Sequence, residues 1–274
     1  MTDAGPLPKK TVIVGAKGRM GAMLDARCRT AAIPVVPVDR PLAGEHLPSA
    51  CEGAELALLC VPAAALDGVL ETLCRFLPAD CVLADITSVK VMPMDRMERR
   101  WQGPVVGTHP LFGPNPGPVP SPHGEAPDAP ESALPVAIVP GTKALPRHVD
   151  LVEAFLRALG FGTFRTTAME HDKAMSLIQG MNFITSLAYF AMLAERPELL
   201  HYVTPSFRRR LAAAEKLLTE DAELFAGLFD ANPFSHEAVR EFRKMLNVAA
   251  AGDVDLLCAR AQWWWREGAE DPPR

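Results

Sequence analysis

The sequence contains no uninterrupted apolar run long enough to cross a lipid bilayer. The longest such stretch, Leu56–Leu66, is interrupted by Pro62 and falls well short of the roughly 20 residues that a transmembrane helix needs. The amino-terminal residues also lack the apolar core that precedes the cleavage site of a secretory signal. We therefore expect a cytoplasmic protein that has no membrane partner.

Cysteines are few and dispersed, and none lies in a C-x-x-C pair or beside a histidine at the spacing of a zinc site. In a chain of this length, that pattern is typical of buried free thiols. We therefore expect no bound metal. The cysteines are Cys28, Cys51, Cys60, Cys74, Cys81 and Cys258.

An excess of positive charge is also missing, because 28 Lys and Arg residues stand against 33 Asp and Glu residues. The net charge of -5 repels phosphate backbones and anionic lipids, so we expect no nucleic-acid partner. Hydrophobic residues make up 49% of the chain and charged residues 22%, which is the ordinary balance of a globular protein. At about 150 residues per domain, the 274 residues predict two domains.

The first half of the chain alternates short apolar runs with helix-forming segments. Continuous apolar runs that alternate with helices are typical of a doubly wound parallel sheet, whose strands are buried on both faces. We therefore predict an α/β domain over residues 1–167. The predicted strands are Thr11–Val14, Val35–Val38, Leu56–Val61, Cys81–Ala84, Val105–Val106 and Val136–Val139.

Proline is crowded between Gly113 and Pro146. Because proline lacks a backbone N–H, such a segment forms little regular structure, and we predict a long loop over residues 114–135. This loop is either an insertion without a role or a flap over a site at the preceding strand ends.

After Thr167 the apolar residues recur at helical spacing. They follow each other three or four residues apart from Met169 to Met192, which predicts one long helix. Because this helix is apolar over much of its circumference, it needs partners on more than one side. We therefore predict an all-α domain over residues 168–274 that forms a homodimer. Its further predicted helices are Pro205–Leu218, Ala222–Phe229, His236–Val248 and Val254–Trp265.

A glycine-rich turn follows the first predicted strand. At Gly15, Gly18 and Gly21 the absence of a Cβ lets the backbone approach a pyrophosphate, and the following helix presents its N-terminus to it. Asp39 ends the second strand about 20 residues further on, where a carboxylate can accept hydrogen bonds from both ribose hydroxyls. This pattern predicts a Rossmann-type dinucleotide site. The predicted cofactor-binding residues are Gly15, Ala16, Gly18, Arg19, Met20, Gly21, Asp39, Val61 and Pro62.

The residue at the end of the second strand also bears on the choice of cofactor. Asp39 would repel a 2′-phosphate, which favours NAD. Arg40, beside it, keeps NADP open as the alternative.

Polar residues follow the fourth and fifth predicted strands. Ser88 lies in the segment Asp85–Lys90, and His109 lies in the segment Gly107–Pro114. Ligands of open α/β sheets bind at the carboxyl ends of the strands. A neutral imidazole can accept a proton from an alcohol while a hydride leaves the alcohol carbon. We therefore predict that His109 and Ser88 are catalytic.

Taken together, these segments resemble prephenate dehydrogenases. The G-x-H-P-x-x-G and D-x-x-S-V-K elements are the most specific, and the glycine turn, Cys60–Pro62 and a motif from Glu170 to Gln179 accompany them in order along most of the chain. The residues after His109 are most similar to enzymes that are often fused to chorismate mutase. Eleven residues precede Val12, so we expect a monofunctional enzyme.

The resemblance implies NAD-dependent oxidative decarboxylation of prephenate to 4-hydroxyphenylpyruvate, a step of tyrosine synthesis. It implies that His109 holds and deprotonates the 4-hydroxyl group while Ser88 forms hydrogen bonds in the same cluster. It also implies an active site between the dinucleotide domain and the helical domain. The substrate-binding positions that it implies are Arg208, Lys216, His171 and Gln179.

Two features of the second half leave alternatives open. Arg208 and Lys216 are about 80° apart around a regular helix, whereas Arg209 and Lys216 are within about 20°. A helix that begins near Arg208 would weaken this objection, so we keep Arg208 first and Arg209 as its rival. The chain also has Met181–Phe183 where many relatives carry a histidine, and lysine at 216 where relatives have arginine. These departures keep arogenate open as the substrate.

Two other functions compete with this interpretation. One is a dinucleotide-binding regulator that has lost catalysis. The other is a hydroxyacid or imine reductase of the same two-domain build, in which Lys173 on the long helix performs the acid chemistry.

Overall fold

The computed structural model describes residues 6–42, 46–115 and 134–265. The chain forms two compact units, which divide between His171 and Asp172. The sequence placed the division between residues 167 and 168.

The first unit is built on a seven-stranded sheet with the order β2-β1-β3-β4-β5-β6-β7. Strands β1 to β5 pair in parallel, β6 runs antiparallel to β5, and β7 is parallel to β6. The predicted Rossmann-type sheet is thus confirmed, with the one exception of the antiparallel β5–β6 pair. The strands are β1 (Thr11–Val14), β2 (Val35–Val38), β3 (Leu56–Leu59), β4 (Val82–Asp85), β5 (Val105–Pro110), β6 (Leu134–Pro140) and β7 (Phe161–Arg165).

Helices cover both faces of the sheet. On one face a core cluster includes Leu70 and Met97, and on the other face a second cluster includes Leu24 and Phe155. All four residues of β1, β3 and β4 are buried, as expected for strands covered on both faces. The helices of this unit are α1 (Arg19–Thr30), α2 (His46–Cys51), α3 (Leu66–Leu73), α4 (Val91–Arg100) and α5 (Pro146–Ala158).

The predicted proline-rich loop needs a correction at its end. Residues 116–133 lie outside the described residues. Leu134 and Pro135, however, begin strand β6. Proline is tolerated near the start of a strand because its missing N–H costs one ladder bond there, and the Pro135 carbonyl still accepts a hydrogen bond from the Leu111 N–H at 2.9 Å.

The long helix predicted after Thr167 is confirmed, with an irregularity at its middle. It consists of α6 (Ala168–Met175), a π-helical turn (Ser176–Gly180) and α7 (Met181–Ala194). By length and composition alone this helix could cross a membrane, and one such helix is weak evidence for a span.

The remaining predicted helices are also confirmed. Three of them begin at the predicted residue, and the fourth begins one residue earlier. The last one continues as a 3₁₀ turn, Gln262–Trp265. They are α8 (Pro205–Thr219), α9 (Ala222–Ala231), α10 (Ser235–Ala250) and α11 (Val254–Ala261).

All six cysteines are free. Cys28, Cys51 and Cys81 are buried as predicted, and burial raises the pKa of the Cys28 thiol to about 12. The prediction of burial is wrong for Cys258, which lies on an exposed position of the short helix α11.

Candidate active site

The glycine turn lies where the strand order changes direction, between β1 and β3. Gly15 has a φ of +85°, and a Cβ there would collide with the carbonyl oxygen of Cys60. A Cβ on Gly21 would collide with the carbonyl oxygen of Gly15. Both positions therefore require glycine, and the turn stays narrow enough for a phosphate group to approach its backbone.

Helix α1 begins directly after this turn with Gly18 at its N-cap, and no side-chain hydrogen bond caps it. A helix N-terminus without a side-chain cap is a suitable site for a phosphate, because its N–H groups and its dipole both favour negative charge. The local geometry therefore fits the pyrophosphate of a dinucleotide.

Asp39 follows strand β2 and is fixed by two backbone hydrogen bonds. The Lys17 N–H donates to one carboxylate oxygen and the Arg40 N–H donates to the other, both at 2.7 Å. These bonds hold the pKa of Asp39 below its ordinary value, so the carboxylate is ionised. An ionised, immobilised carboxylate is suited to accept ribose hydroxyls and to repel a 2′-phosphate.

His109 is the penultimate residue of strand β5 and is 2% exposed. The strand is longer than the predicted Val105–Val106, so this side chain belongs to the strand rather than to the loop after it. Its Nδ1 lies 2.9 Å from Nε2 of His171, and the two rings meet edge to face at 72°. Among the described residues, Nε2 of His109 has no hydrogen-bond partner and is not one of the side-chain atoms sealed from solvent.

A buried ion pair lies beside this strand end. Lys90 and Asp85 are both 0% exposed, and Nζ of Lys90 donates to both carboxylate oxygens of Asp85 at 2.7 Å. The ammonium group also donates to the Thr108 carbonyl at 2.6 Å, one residue before His109. The hydroxyl groups of Thr87 and Thr108 donate to the Asp85 carboxylate and the Asp85 carbonyl, respectively.

The environment keeps the His109 imidazole neutral. Burial disfavours its charged form, and the nearby Lys90 ammonium and His171 act in the same direction, so the pKa of His109 lies well below its ordinary value. A neutral imidazole in a buried position can act as a proton acceptor at neutral pH.

His171 lies in the first turn of helix α6 and is 3% exposed. A capping box fixes this turn: the Glu170 N–H donates to the Thr167 hydroxyl at 3.1 Å, and the Thr167 N–H donates back to the Glu170 carboxylate at 3.2 Å. The His171 N–H donates to the Thr167 carbonyl at 2.9 Å. The sequence predicted His171 as a site residue but not its contact with His109.

Ser88 lies in the bend after β4 and is half-buried. In the part of the chain that the structure describes, its hydroxyl makes no hydrogen bond to His109, so the structure does not join the two predicted catalytic side chains directly. Sequence reasoning missed the roles of Asp85, Thr87 and Lys90. The sequence feature that could have identified them is an acidic and a basic residue, Asp85 and Lys90, five positions apart in a segment that begins inside a buried strand.

The predicted substrate-binding cations lie in the second unit, on helix α8. This helix begins at Pro205 behind the N-cap Thr204, so Arg208 and Lys216 both belong to a regular helix and lie about 80° apart. The helix begins three residues before Arg208, so the choice between Arg208 and Arg209 stays open. All these side chains are exposed, and Lys216 pairs with Asp221 at 3.6 Å.

Three further predicted or competing residues also lie in this unit. Gln179 is half-buried in the π-helical turn. The Arg210 guanidinium stacks over the Tyr189 ring at 4.0 Å, which leaves Arg208 and Arg209 as the candidates on that turn. The Lys173 ammonium, the proposed acid of a reductase, lies 5.5 Å from the centre of the Phe234 ring.

No group of three or more metal-ligating side chains exists among the described residues. The uncapped N-terminus of α1 and the Asp39 carboxylate are suited to dinucleotide binding, and the buried His109 imidazole is suited to proton transfer.

Comparisons with known proteins agree with this geometry. The family model described as the nucleotide-binding domain of prephenate dehydrogenase matches residues 43–160. A T-protein, a chorismate mutase/prephenate dehydrogenase, from Enterobacter agglomerans is 27% identical over 282 residues, which cover 97% of this chain and 70% of that protein.

Two solved structures share the fold. The crystal structure of prephenate dehydrogenase from A. aeolicus, in complex with hydroxyphenyl propionate and NAD+, has a TM-score of 0.71 at 17% identity and covers 93% of this chain and 95% of its own. Synechocystis arogenate dehydrogenase has a TM-score of 0.69 at 20% identity and covers 93% of each chain.

Proposed function

We propose that this chain is an NAD-dependent oxidoreductase of the prephenate dehydrogenase family and that it converts prephenate to 4-hydroxyphenylpyruvate in tyrosine synthesis. The observation that carries the proposal is the neutral, buried imidazole of His109 at the carboxyl end of β5. The glycine turn and Asp39 follow the carboxyl ends of the parallel strands β1 and β2, at the same edge of the sheet.

The glycine turn, the N-terminus of α1 and Asp39 would hold the dinucleotide. When bound, NAD accepts the hydride that leaves C4 of prephenate. His109 takes the proton of the 4-hydroxyl group on Nε2, so that the hydroxyl oxygen becomes a carbonyl oxygen as the C4–H bond breaks. Loss of the ring carboxylate as carbon dioxide then supplies the electron pair that makes the ring aromatic, and the phenolate oxygen recovers the proton.

Prephenate carries two carboxylates, which need cationic partners. Arg208 or Arg209, together with Lys216, would supply them from helix α8, since a guanidinium group can bind a carboxylate with two parallel hydrogen bonds. We place Gln179 on the substrate side as well. Ser88 remains a proposed member of the catalytic cluster, acting without a direct bond to His109.

We also propose that the protein is a cytoplasmic homodimer formed through its helical unit. The support is the large number of exposed apolar side chains on that unit, among them Leu200 and Tyr202, which are 76% and 77% exposed. Contiguous apolar surface of this kind is typical of a protein interface.

Arogenate is the alternative substrate, and one observation favours it. Where many relatives carry a histidine, this chain has Met181–Phe183, and Phe183 is 3% exposed and stacks on Phe225 at 5.8 Å. Met181 and Phe183 are buried, Asn182 between them is exposed, and none of the three can supply an imidazole contact to the side chain of prephenate.

The experiment is a matrix of two substrates and two cofactors. Purified protein is given prephenate or arogenate with NAD or NADP, and both the reduced cofactor and the aromatic product are measured. Prephenate with NAD should produce NADH and 4-hydroxyphenylpyruvate, and the His109→Asn variant should lose this activity by about 10²- to 10⁴-fold while still binding NAD. Turnover of arogenate alone would replace the substrate, and NAD binding without turnover of either substrate would indicate a regulator.

A further inference from the structure

We propose that His171 is a positioning residue that sets the tautomer of His109. In this proposal Nδ1–H of His109 donates its hydrogen bond to Nε2 of His171, and Nε2 of His109 is thereby left without a proton. The proposal deepens the proposed function, because it assumes that His109 is the base. It changes the role of His171 from a substrate contact to a residue that acts through another side chain.

The geometry of the histidine pair carries this inference. Nδ1 of His109 and Nε2 of His171 are 2.9 Å apart, a hydrogen-bond distance, so one of the two nitrogens must carry a proton and the other must not. A neutral imidazole has a single N–H, which lies on one nitrogen or the other. The direction of this one bond therefore fixes which nitrogen of His109 has the free lone pair.

Only one direction of the hydrogen bond between His109 and His171 allows His109 to act as a base. With Nδ1 engaged by His171, the nitrogen that can meet a hydroxyl group is Nε2. If His171 donated the bond, the proton of His109 would be on Nε2, and the ring could donate to the substrate but could not accept its proton. His171 must therefore be the acceptor, with its own proton on Nδ1.

The surroundings of the ring favour this pairing over one with a carboxylate. The buried acid of the neighbouring strand, Asp85, already accepts hydrogen bonds from the Lys90 ammonium on both of its oxygens. The Lys90 ammonium is a donor only and is directed at Asp85 and at the Thr108 carbonyl. A carboxylate at the place of His171 would raise the pKa of His109, whereas a neutral imidazole orients the ring without stabilising its cation as strongly.

The position of the acceptor is fixed independently of any substrate. His171 follows directly after the Thr167–Glu170 capping box, which holds the first turn of α6 by two reciprocal hydrogen bonds. His109 is fixed on its side by the pairing of β5 with β6, in which it lies opposite Ala137. The contact thus joins two rigid elements, as an orienting contact requires.

The first test reads the tautomer directly, in protein without substrate. Long-range ¹H–¹⁵N spectra of the ¹⁵N-histidine-labelled full chain distinguish a protonated ring nitrogen from an unprotonated one, and the His109→Asn variant assigns the signals of His109 by their loss. The wild type should show a protonated Nδ1 and an unprotonated Nε2 on His109. A protonated Nε2 in the wild type would overturn the proposal, whether or not the protein turns over prephenate.

Two substitutions at position 171 then separate positioning from substrate binding. In the His171→Leu variant the acceptor is lost, and we expect kcat to fall by about 10²-fold or more while KM changes by less than about threefold. In the His171→Gln variant the amide oxygen can accept the bond from Nδ1–H, and we expect most of kcat and the wild-type tautomer to return. A rise in KM with an unchanged kcat and tautomer would show that His171 binds substrate instead.

A matched control removes a histidine from an exposed position. His236 lies in the first turn of α10 and is exposed. The His236→Leu variant should keep the wild-type kcat and the wild-type His109 spectrum. If the spectra show the predicted tautomer but no variant or wild type turns over either substrate, the failure belongs to the proposed function and not to the histidine pair.

Discussion

The two units of this protein bury their apolar side chains to different extents. In the first unit every residue of β1, β3 and β4 is buried, and core clusters cover both faces of the sheet. In the described part of the second unit, the buried apolar side chains are limited to Met181, Phe183, Ala214 and Ala238. Its large exposed apolar side chains include Leu177, Ile178, Met192, Leu200, Tyr202, Leu246, Trp264 and Trp265.

This difference indicates that the two units contribute differently to the stability and to the assembly of the protein. The first unit buries enough apolar side chains to form its own hydrophobic core. This unit also holds the Asp85–Lys90 ion pair at 0% exposure. The described part of the second unit buries few apolar side chains, and the stability of helices comes chiefly from the packing of an apolar face. We therefore expect rigidity from the first unit and assembly from the second.

The largest effect is expected when a buried ion pair of the first unit is compared with an exposed ion pair of the second unit, by removing the lysine from each. The Lys90→Met variant leaves the Asp85 carboxylate buried without its cation, and we expect the free energy of unfolding to fall by about 3 to 5 kcal/mol. The Lys244→Met variant in the second unit removes an exposed partner of Glu241, whose ion pair is 2.6 Å long, and should cost less than about 1 kcal/mol. Denaturant titrations followed by circular dichroism measure both values, and equal losses would contradict the comparison.

The next largest effect should appear in the oligomeric state. The Leu200→Glu variant puts a charge on the exposed apolar surface of the second unit, and we expect the dimer to weaken by about 2 kcal/mol or more, which is roughly 30-fold in the dissociation constant. Ala79→Glu adds the same charge at an exposed position of the first unit and should leave the dimer intact. Light scattering over a concentration series distinguishes these outcomes, and a wild-type monomer would refute the assignment of this surface.

A smaller effect separates the candidate substrate cations on α8. A hydrogen bond to a charged group contributes about 1.5 to 3 kcal/mol, so loss of the binding arginine should raise KM for prephenate by about 10- to 100-fold. Arg208→Ala and Arg209→Ala are compared with Arg210→Ala, whose guanidinium stacks on Tyr189. The face shared with Lys216 favours Arg209, and an effect confined to Arg210→Ala would exclude both candidates.

The smallest expected effect is on the pH dependence of kcat/KM. The imidazole of His109 is active when unprotonated, and burial, the Lys90 ammonium and His171 lower its pKa. The acid limb of kcat/KM should therefore lie below about pH 6.5, the ordinary value for histidine. An acid limb above that value would contradict the burial of the base.

The same lowered pKa has a consequence for stability. As the pH falls below about 6.5, unfolded chains bind a proton at this position and folded chains do not, so the folded state loses up to about 1.4 kcal/mol per pH unit until the folded pKa is reached. The His109→Asn variant lacks this contribution and is the control in unfolding titrations between pH 5 and 7.

Most of the fold follows from local patterns in the sequence. The glycine turn, the helices from Pro205 onward and the long helix after Thr167 were predicted because their periodicity or turn chemistry is contained in neighbouring residues. Strand β7 (Phe161–Arg165) was missed, since its five residues contain only two apolar side chains. The direction of β6 could not be predicted because the local sequence of a strand does not state which way its partner runs.

The residues of the candidate site likewise divide into those that local sequence predicts and those that depend on tertiary contacts. Gly15 and Asp39 were found because their roles depend on positions close in the chain. The contact between His109 and His171 joins residues 62 apart, and no local pattern specifies it. The burial of Lys90 was missed because charged residues are almost never fully buried unless they are paired, and the pairing itself depends on the tertiary structure.

The π-helical turn at Ser176–Gly180 changes how the long helix presents its side chains. One extra residue in a turn advances every later position by about 100° around the axis. The side chains of α7 are thus offset around the helix axis from the positions that they would have in an uninterrupted α-helix. A one-residue deletion in this turn would remove that offset and rotate Phe183 away from Phe225, so the length of this short segment sets which side chains of α7 face α9.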